Sequence, residues 1–144
     1  MAFPDAYFSA DPALLDHDRV FEWISVRSYW AKGRTRAKLE SALKASRVYG
    51  MYESGTDTQL AFARVVTDGA TFAWLCDVYV DDDARGRHLG IRLIDGVMAE
   101  LTPLGLSRIA LATGDAHSLY KKFGFASLPN PEMWMSIQPD RKPL

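Results

Sequence analysis

The stretch 77-DVYVDDDARGRHLGIRLIDGVMAEL-101 decides the reading of this chain. A short apolar strand runs into acidic residues, then into Arg85-Gly86-Arg87-His88-Leu89-Gly90, then into an amphipathic helix. The helix carries Leu89, Leu93, Ile94, Val97, Met98 and Leu101 on one stripe, the spacing that buries one helix face. A helix N-terminus exposes unpaired N–H groups and the positive end of the helix dipole, so it attracts anions. Gly86 and Gly90 let backbone approach a ligand closely. Arg85 and Arg87 add charge. The loop therefore reads either as a basic turn or as a cradle for a phosphate.

Upstream, the period is two. Arg47–Glu53, Leu60–Asp68 and Thr71–Val80 are predicted strands, rich in β-branched and aromatic residues and joined by SGTDTQ and DGA turns. Three strands joined by hairpins make an antiparallel meander. Before them, Ala6–Ala10 is a candidate edge strand. Asp16 caps a predicted helix to Val26, and Thr35 caps a second with Leu39, Ala42, Leu43 and Ser46 at helical spacing. Downstream, Ser107–Gly114 reads as a strand. A strand–helix–strand crossover favours parallel pairing of its flanking strands. A short helix over 115–124 follows, with Asp115 as its cap and Gly124 at its end. Phe125–Gln138 reads as a final hairpin-like pair, with Pro129 and Pro131 in its loop. The expected fold class is α+β: one domain over 1–144, a mixed sheet with helices on both faces, in three layers α/β/α.

The composition sets bounds. With 144 residues, 48% of them hydrophobic and 24% charged, the chain can close one core. Its net charge of −1 argues against nucleic acid as the main partner. The lone Cys76 forms no intrachain disulfide and belongs to no CxxC motif. The N-terminus lacks the pattern of a secretory signal, and no apolar run approaches the ~18 residues of a membrane span. A cytoplasmic protein with no membrane or metal partner is expected.

GxGxxG is absent, and so is a Walker loop, so neither dinucleotide nor P-loop chemistry fits. A second segment, Ala116-His117-Ser118-Leu119-Tyr120-Lys121-Lys122-Phe123-Gly124-Phe125, supplies the missing context. Together with Arg85–Gly90, and in the same element order, it resembles the GNAT superfamily of N-acetyltransferases from end to end. That family's loop is commonly RGxGxG, and its later motif centres on a Tyr-x-Lys/Arg-x-Gly-Phe run. Two departures stand out: His88 replaces the middle glycine, and Thr113 replaces an Asn that often begins the second motif.

The resemblance implies a mostly antiparallel sheet whose fourth and fifth strands are parallel and splayed, with acetyl-CoA as co-substrate in the gap. It places the pyrophosphate on the amides of Arg85, Gly86, Arg87, His88, Leu89, Gly90 and Ile91. It places the pantetheine arm along Val78, Tyr79 and Val80, with Thr113 and His117 close to the cofactor. It makes Tyr120 the acid that protonates the departing thiolate. Relatives often carry a Glu-Asp pair on strand four; here the pair is Cys76-Asp77. Asp77 is a candidate base acting through water, or else a strand-end stabiliser. Glu22 is a second, blander candidate.

In the family, the loop between the first two helices walls the acceptor site. Here it is Arg27–Arg36. Tyr29 and Trp30 offer flat faces, Arg27, Lys32, Arg34 and Arg36 offer charge, and Trp74 and Tyr79 lie on strand four. The charges favour a small-molecule or peptide amine that also carries an anionic group. The expected function is transfer of an acetyl group to a primary amine. The alternative is a module that binds acyl-CoA without catalysis. Met133-Trp134-Met135 reads as a final core strand or as a homodimer contact.

Overall fold

The computed structural model describes residues 5–139. Five strands form where the period-two segments lie: β1 (Ala6–Ser9), β2 (Arg47–Glu53), β3 (Gln59–Thr67), β4 (Phe72–Val80) and β5 (Arg108–Ala110). They make one sheet in the order β1-β2-β3-β4-β5. The first three pairings are antiparallel and β4–β5 is parallel. The β3–β4 turn has a local cause: Asp68 accepts hydrogen bonds from the N–H groups of Ala70 and Thr71, and Gly69 supplies a φ of 77°.

Helix α1 (His17–Phe21) starts at Asp16, whose side chain accepts from Arg19 N–H. It continues as a π-helix over Glu22–Arg27, closed by a hydrogen bond from Ser28 N–H to the Trp23 carbonyl. Helix α2 (Arg36–Lys44) starts at Thr35, whose hydroxyl accepts from Lys38 N–H at 3.2 Å. Both caps follow the expected chemistry of helix N-termini. Helix α3 (Leu89–Leu101) buries Leu89, Leu93, Ile94, Val97 and Leu101, the stripe read from the sequence. Helix α4 (His117–Lys121) is a single short turn.

Two cores sandwich the sheet. One joins α3 and α4 to Tyr49, Met51, Ala61, Val65, Leu75 and their neighbours. The other joins the first helical segment and α2 to Val48, Phe62 and Tyr79. Close approach of α3 to the sheet edge requires Gly96: a Cβ there would lie 2.3 Å from the Phe8 ring. No helix is long and apolar enough to cross a membrane among the described residues.

The C-terminal segment differs from expectation. Phe125–Gln138 forms no strand pair; only a single 3-10 turn, Pro131–Met133, interrupts it. Pro129 and Pro131 remove two amide donors from the intended hairpin, and proline also restricts the residue before it. β5 is likewise shorter than expected, ending at Ala110.

Candidate active site

The cleft exists because two neighbouring strands part. β4 and β5 pair only from Phe72↔Arg108 to Trp74↔Ala110, while β4 continues to Val80. A bulge lies in the stretch where β4 runs on with β3 but without β5. Between the pairs Phe62↔Tyr79 and Arg64↔Cys76 the register shifts, and Asp77 adopts a left-handed φ of 53°. An extra residue on one strand bends it and increases its twist. The alternation also flips there: Ala73 and Leu75 face the α3 core, whereas Asp77 and Tyr79 face the α1–α2 side.

The resulting cleft encloses about 890 Å³. Val78, Tyr79 and Val80 line one side. Arg85, Gly86, His88, Leu89 and Gly90 line the loop end. Asp115, Ala116, Leu119 and Tyr120 come from the β5–α4 region, and Tyr29 and Trp30 from the loop before α2.

The Gly loop is built for a close ligand. Gly86 has a φ of 87°, and His88 is left-handed at 59°. His88 occupies the N-cap of α3 without capping it through its side chain. The first turn of α3 is thus left to solvent or to a ligand. A Cβ on Gly90 would stand 3.8 Å from Val80 Cγ2 and 3.9 Å from Leu119 Cδ2, inside the cleft. Arg85 is held ready at its edge. Its guanidinium lies 5.4 Å from the Tyr79 ring centroid and donates to Asp82 at 2.9 Å, with the side chain 59% exposed.

Tyr120 is nearly buried, and its ring meets Phe125 edge-on at 5.9 Å. Burial, then the negative charge of Asp115 and the nearby Tyr29, pushes its phenol up to about 12. It therefore stays protonated at neutral pH, as a hydrogen donor must. Burial pushes the Cys76 thiol up to about 11, so it stays a thiol rather than a nucleophilic thiolate.

Asp77 sits under the cleft, not in it. Its side chain is 2% exposed. One carboxylate oxygen accepts from Trp30 Nε1 at 2.9 Å; the other accepts from Arg34 at 2.7 Å and Arg64 at 2.9 Å. Burial works against its charge, but the two guanidiniums and the hydrogen bonds outweigh it and hold the carboxyl below the usual range. Three donors engage this carboxylate, and Asp77 does not line the cleft. Glu22 is paired with Arg27 at 3.0 Å.

The loop before α2 is held from both ends. Ser28 accepts from Ala31 N–H at 3.0 Å, and Gly33 N–H donates to the Ser25 carbonyl at 2.8 Å. Tyr29 reaches across the cleft: its hydroxyl accepts from Gly114 N–H at 2.8 Å and lies 3.5 Å from Asp115. Trp30 packs edge-on against Tyr29 at 5.0 Å.

A family model for the acetyltransferase (GNAT) family matches residues 17–125. The chain belongs to the GNAT family. A crystal structure from Xanthomonas campestris pv. campestris, assigned to that family, shares 38% identity over 95% of each chain with a TM-score of 0.88. A protein of Gibberella zeae named as an acetyltransferase is 30% identical over 82% of this chain and 77% of its own length. Serotonin N-acetyltransferase 2 of Oryza sativa subsp. japonica is 31% identical over 76% of this chain, which spans only 56% of that protein's length.

Within this GNAT fold, the expected residues divide. Val78–Val80, Arg85, Gly86, His88–Gly90, Tyr120, Tyr29 and Trp30 converge on the cleft, while Arg87 and Ile91 do not line it. Thr113 works locally, its hydroxyl accepting from the N–H groups of Asp115 and Ala116 ahead of α4. With His117, it lines a separate gap beyond β5. Trp74 lies three residues before the bulge and outside the cleft. Arg34 pairs with buried Asp77 at 2.7 Å and does not line the cleft. Arg36 is likewise paired, with Asp18 and Glu40. Sequence reading missed Asp82, Asp115 and Leu119 in the cleft, and Arg64 beneath it. The aspartates had a local signal, since each lies within five residues of a motif. Arg64 had none.

Proposed function

We propose that this chain transfers the acetyl group of acetyl-CoA to a primary amine with an apolar or aromatic body. One observation carries this reading. A single cleft joins a glycine-rich helix N-terminus, a strand edge left unpaired by its neighbour, and a protonated phenol. These fit the parts of the donor in turn. The amides around Gly86–Gly90 suit a pyrophosphate, with Arg85 adding charge. The edge of Val78–Val80, which β5 no longer covers, offers backbone groups to the amides of a pantetheine arm. The space that a Gly90 side chain would fill admits that arm.

Bound acetyl-CoA supplies the activated carbonyl. The chain's own residues do the rest. Tyr29 and Trp30 orient the amine, and Asp115 draws its cationic form into the cleft. Asp82 is less suited, because it already accepts from Tyr79, Arg27 and Arg85. The amine loses a proton to water and attacks as the neutral base; a C–N bond forms, the C–S bond breaks, and the proton that the acylated nitrogen sheds passes through water to the thiolate, which leaves as the thiol. Tyr120 donates a hydrogen bond to the leaving sulfur as charge develops there, a contribution of roughly 10²–10⁴-fold for a well-placed acid. Asp77 is a positioning residue: it fixes the bulge that parts β4 from β5. Tyr120 in the cleft supports catalysis over a module that only binds acyl-CoA.

Arg34 and Arg36 both pair with the chain's own acids, which argues against an anionic acceptor. The name of the rice relative, an enzyme for an aromatic amine, agrees with the aromatic wall seen here. The test is thiol release from acetyl-CoA with matched amines. Phenylethylamine and tryptamine should turn over faster than phenylalanine and tryptophan, which add only a carboxylate. Faster turnover of the carboxylate-bearing pair would overturn the acceptor reading. Tight CoA binding without thiol release for any amine would overturn catalysis.

A further inference from the structure

Two anions have a claim on Arg85. The pyrophosphate of acetyl-CoA is one. The other is already present: Asp82, an acid that lines the same cleft, has its Oδ1 2.9 Å from Arg85 Nη2. The Arg85 Nε donates to the Val80 carbonyl at 3.3 Å, and the guanidinium lies 5.4 Å from the Tyr79 ring centroid. All three contacts lie at the end of β4 and in the turn that follows it.

The acid is anchored more firmly than the arginine. Asp82 opens a 3-10 turn over Asp82–Ala84, in which Ala84 is buried and its N–H donates to the Asp81 carbonyl at 2.9 Å. Asp82 Oδ1 also accepts from the Tyr79 hydroxyl at 2.9 Å, and the Tyr79 ring stacks on Trp23 with centroids 5.8 Å apart. Asp82 Oδ2 accepts from Arg27 at 2.9 Å, and Glu22 steadies Arg27 at 3.0 Å. The Tyr79 hydroxyl, then Arg27 and Arg85, hold the Asp82 carboxyl below its ordinary value, so it is ionised at neutral pH. Arg85 is more than half exposed, and the next residue, Gly86, has a φ of 87°. The guanidinium can leave the acid without disturbing either core.

We infer that Asp82 is a positioning residue that competes with the pyrophosphate for Arg85, so that CoA is bound loosely enough to leave. The inference rests on acetyl-CoA as the acetyl source. A guanidinium that passes from a carboxylate to a phosphate gains only the difference between the two pairs. The same discount applies to acetyl-CoA and to CoA, because both carry the same pyrophosphate. An interaction that binds the ground state and the transition state equally adds nothing to the chemical step. A tight hold on CoA slows every turnover that product release limits. Asp82 therefore trades affinity that the reaction does not need for a faster exit.

Calorimetric titration with CoA tests this without any acetyl transfer. Asp82→Asn keeps the size of the side chain, and its amide oxygen can still accept from Tyr79. It should tighten CoA binding by about two- to fivefold, the range expected for an exposed ion pair. In an Arg85→Ala background the same change should leave CoA affinity unaltered, because no guanidinium remains to be released. Weaker or unchanged CoA binding by Asp82→Asn overturns the inference; a merely structural role for Asp82 gives the weaker binding. Equal tightening with and without Arg85 also overturns it, since Asp82 would then repel the phosphates directly. Asp82→Ser, read in the same way, serves if the asparagine variant does not fold. A wild type that does not bind CoA is a separate failure: it removes acetyl-CoA as the acetyl source, and this inference with it.

Discussion

Two loops of this protein look alike as text. AKGRTR at 31–36 and RGRHLG at 85–90 each place two arginines beside a glycine at the mouth of a helix. They fold to opposite ends. The second keeps its backbone open on the cleft and holds Arg85 at the rim. The first turns Arg34 inward to a buried carboxylate and pairs Arg36 along the surface. The difference lies outside both loops. A buried carboxylate left without a partner is costly, and Asp77 beneath the sheet draws Arg34 inward for that reason. A basic loop thus reports an anionic ligand only after the chain's own acids have been counted.

The comparison breaks most visibly at Asp77. Asp77→Ala leaves Arg34 and Arg64 facing one another beneath the sheet, and should lower unfolding stability by about 3–5 kcal/mol in urea titration. Asp77's carboxyl lies below its ordinary value in the folded chain, so the unfolded chain takes up that proton first as pH falls. The stabilisation is present above the ordinary carboxylate pKa of roughly 4 and is lost as pH drops below it. The gap between wild type and Asp77→Asn should therefore narrow from pH 7 to about pH 3. A gap that stays constant would mean the ion pairs add nothing.

Next in size is Tyr120→Phe. It should lower single-turnover acetyl transfer by roughly ten- to a thousand-fold while KM for acetyl-CoA moves little. Because the phenol lies near 12, the wild-type rate should show no alkaline limb from it below about pH 10. A limb near neutrality that vanishes in Tyr120→Phe would assign a different role.

At the open loop, Gly90→Val fills the cleft beside Val80 and Leu119. KM for acetyl-CoA should rise by about tenfold or more, with the melting curve nearly unchanged, since valine is no worse than glycine in a helix. Unchanged CoA affinity in calorimetry would move the donor elsewhere. The smallest effect belongs to Arg36→Ala. An exposed ion pair contributes little, so neither stability nor amine KM should change measurably. A raised amine KM would restore the anionic-acceptor reading.

The meander and α3 were legible because their signals are local. Asp68-Gly69 fixes one turn, and the Leu89–Leu101 stripe repeats at helical spacing. Asp16 and Thr35 cap the helices that follow them by short-range hydrogen bonds. The site was legible where two motifs bracket it. What escaped is nonlocal. The Asp77 clamp draws Trp30, Arg34 and Arg64 from two distant segments, and no spacing rule connects them. The C-terminal pair was expected from composition, but strand pairing depends on a partner edge as well as on the segment itself. Tyr29 had a flat face in the sequence; its hydroxyl contact with Gly114 did not show there.

That contact bears on how firmly the cleft mouth is held. Gly114 N–H on the Tyr29 hydroxyl ties the loop before α2 to the start of α4 across the cleft mouth. A neutral hydrogen bond of this kind is worth a net ~1 kcal/mol. Undoing it shifts the balance between a shut and a parted mouth only about fivefold. Such a latch holds the aromatic wall in register with the start of α4, yet is weak enough for thermal motion to undo.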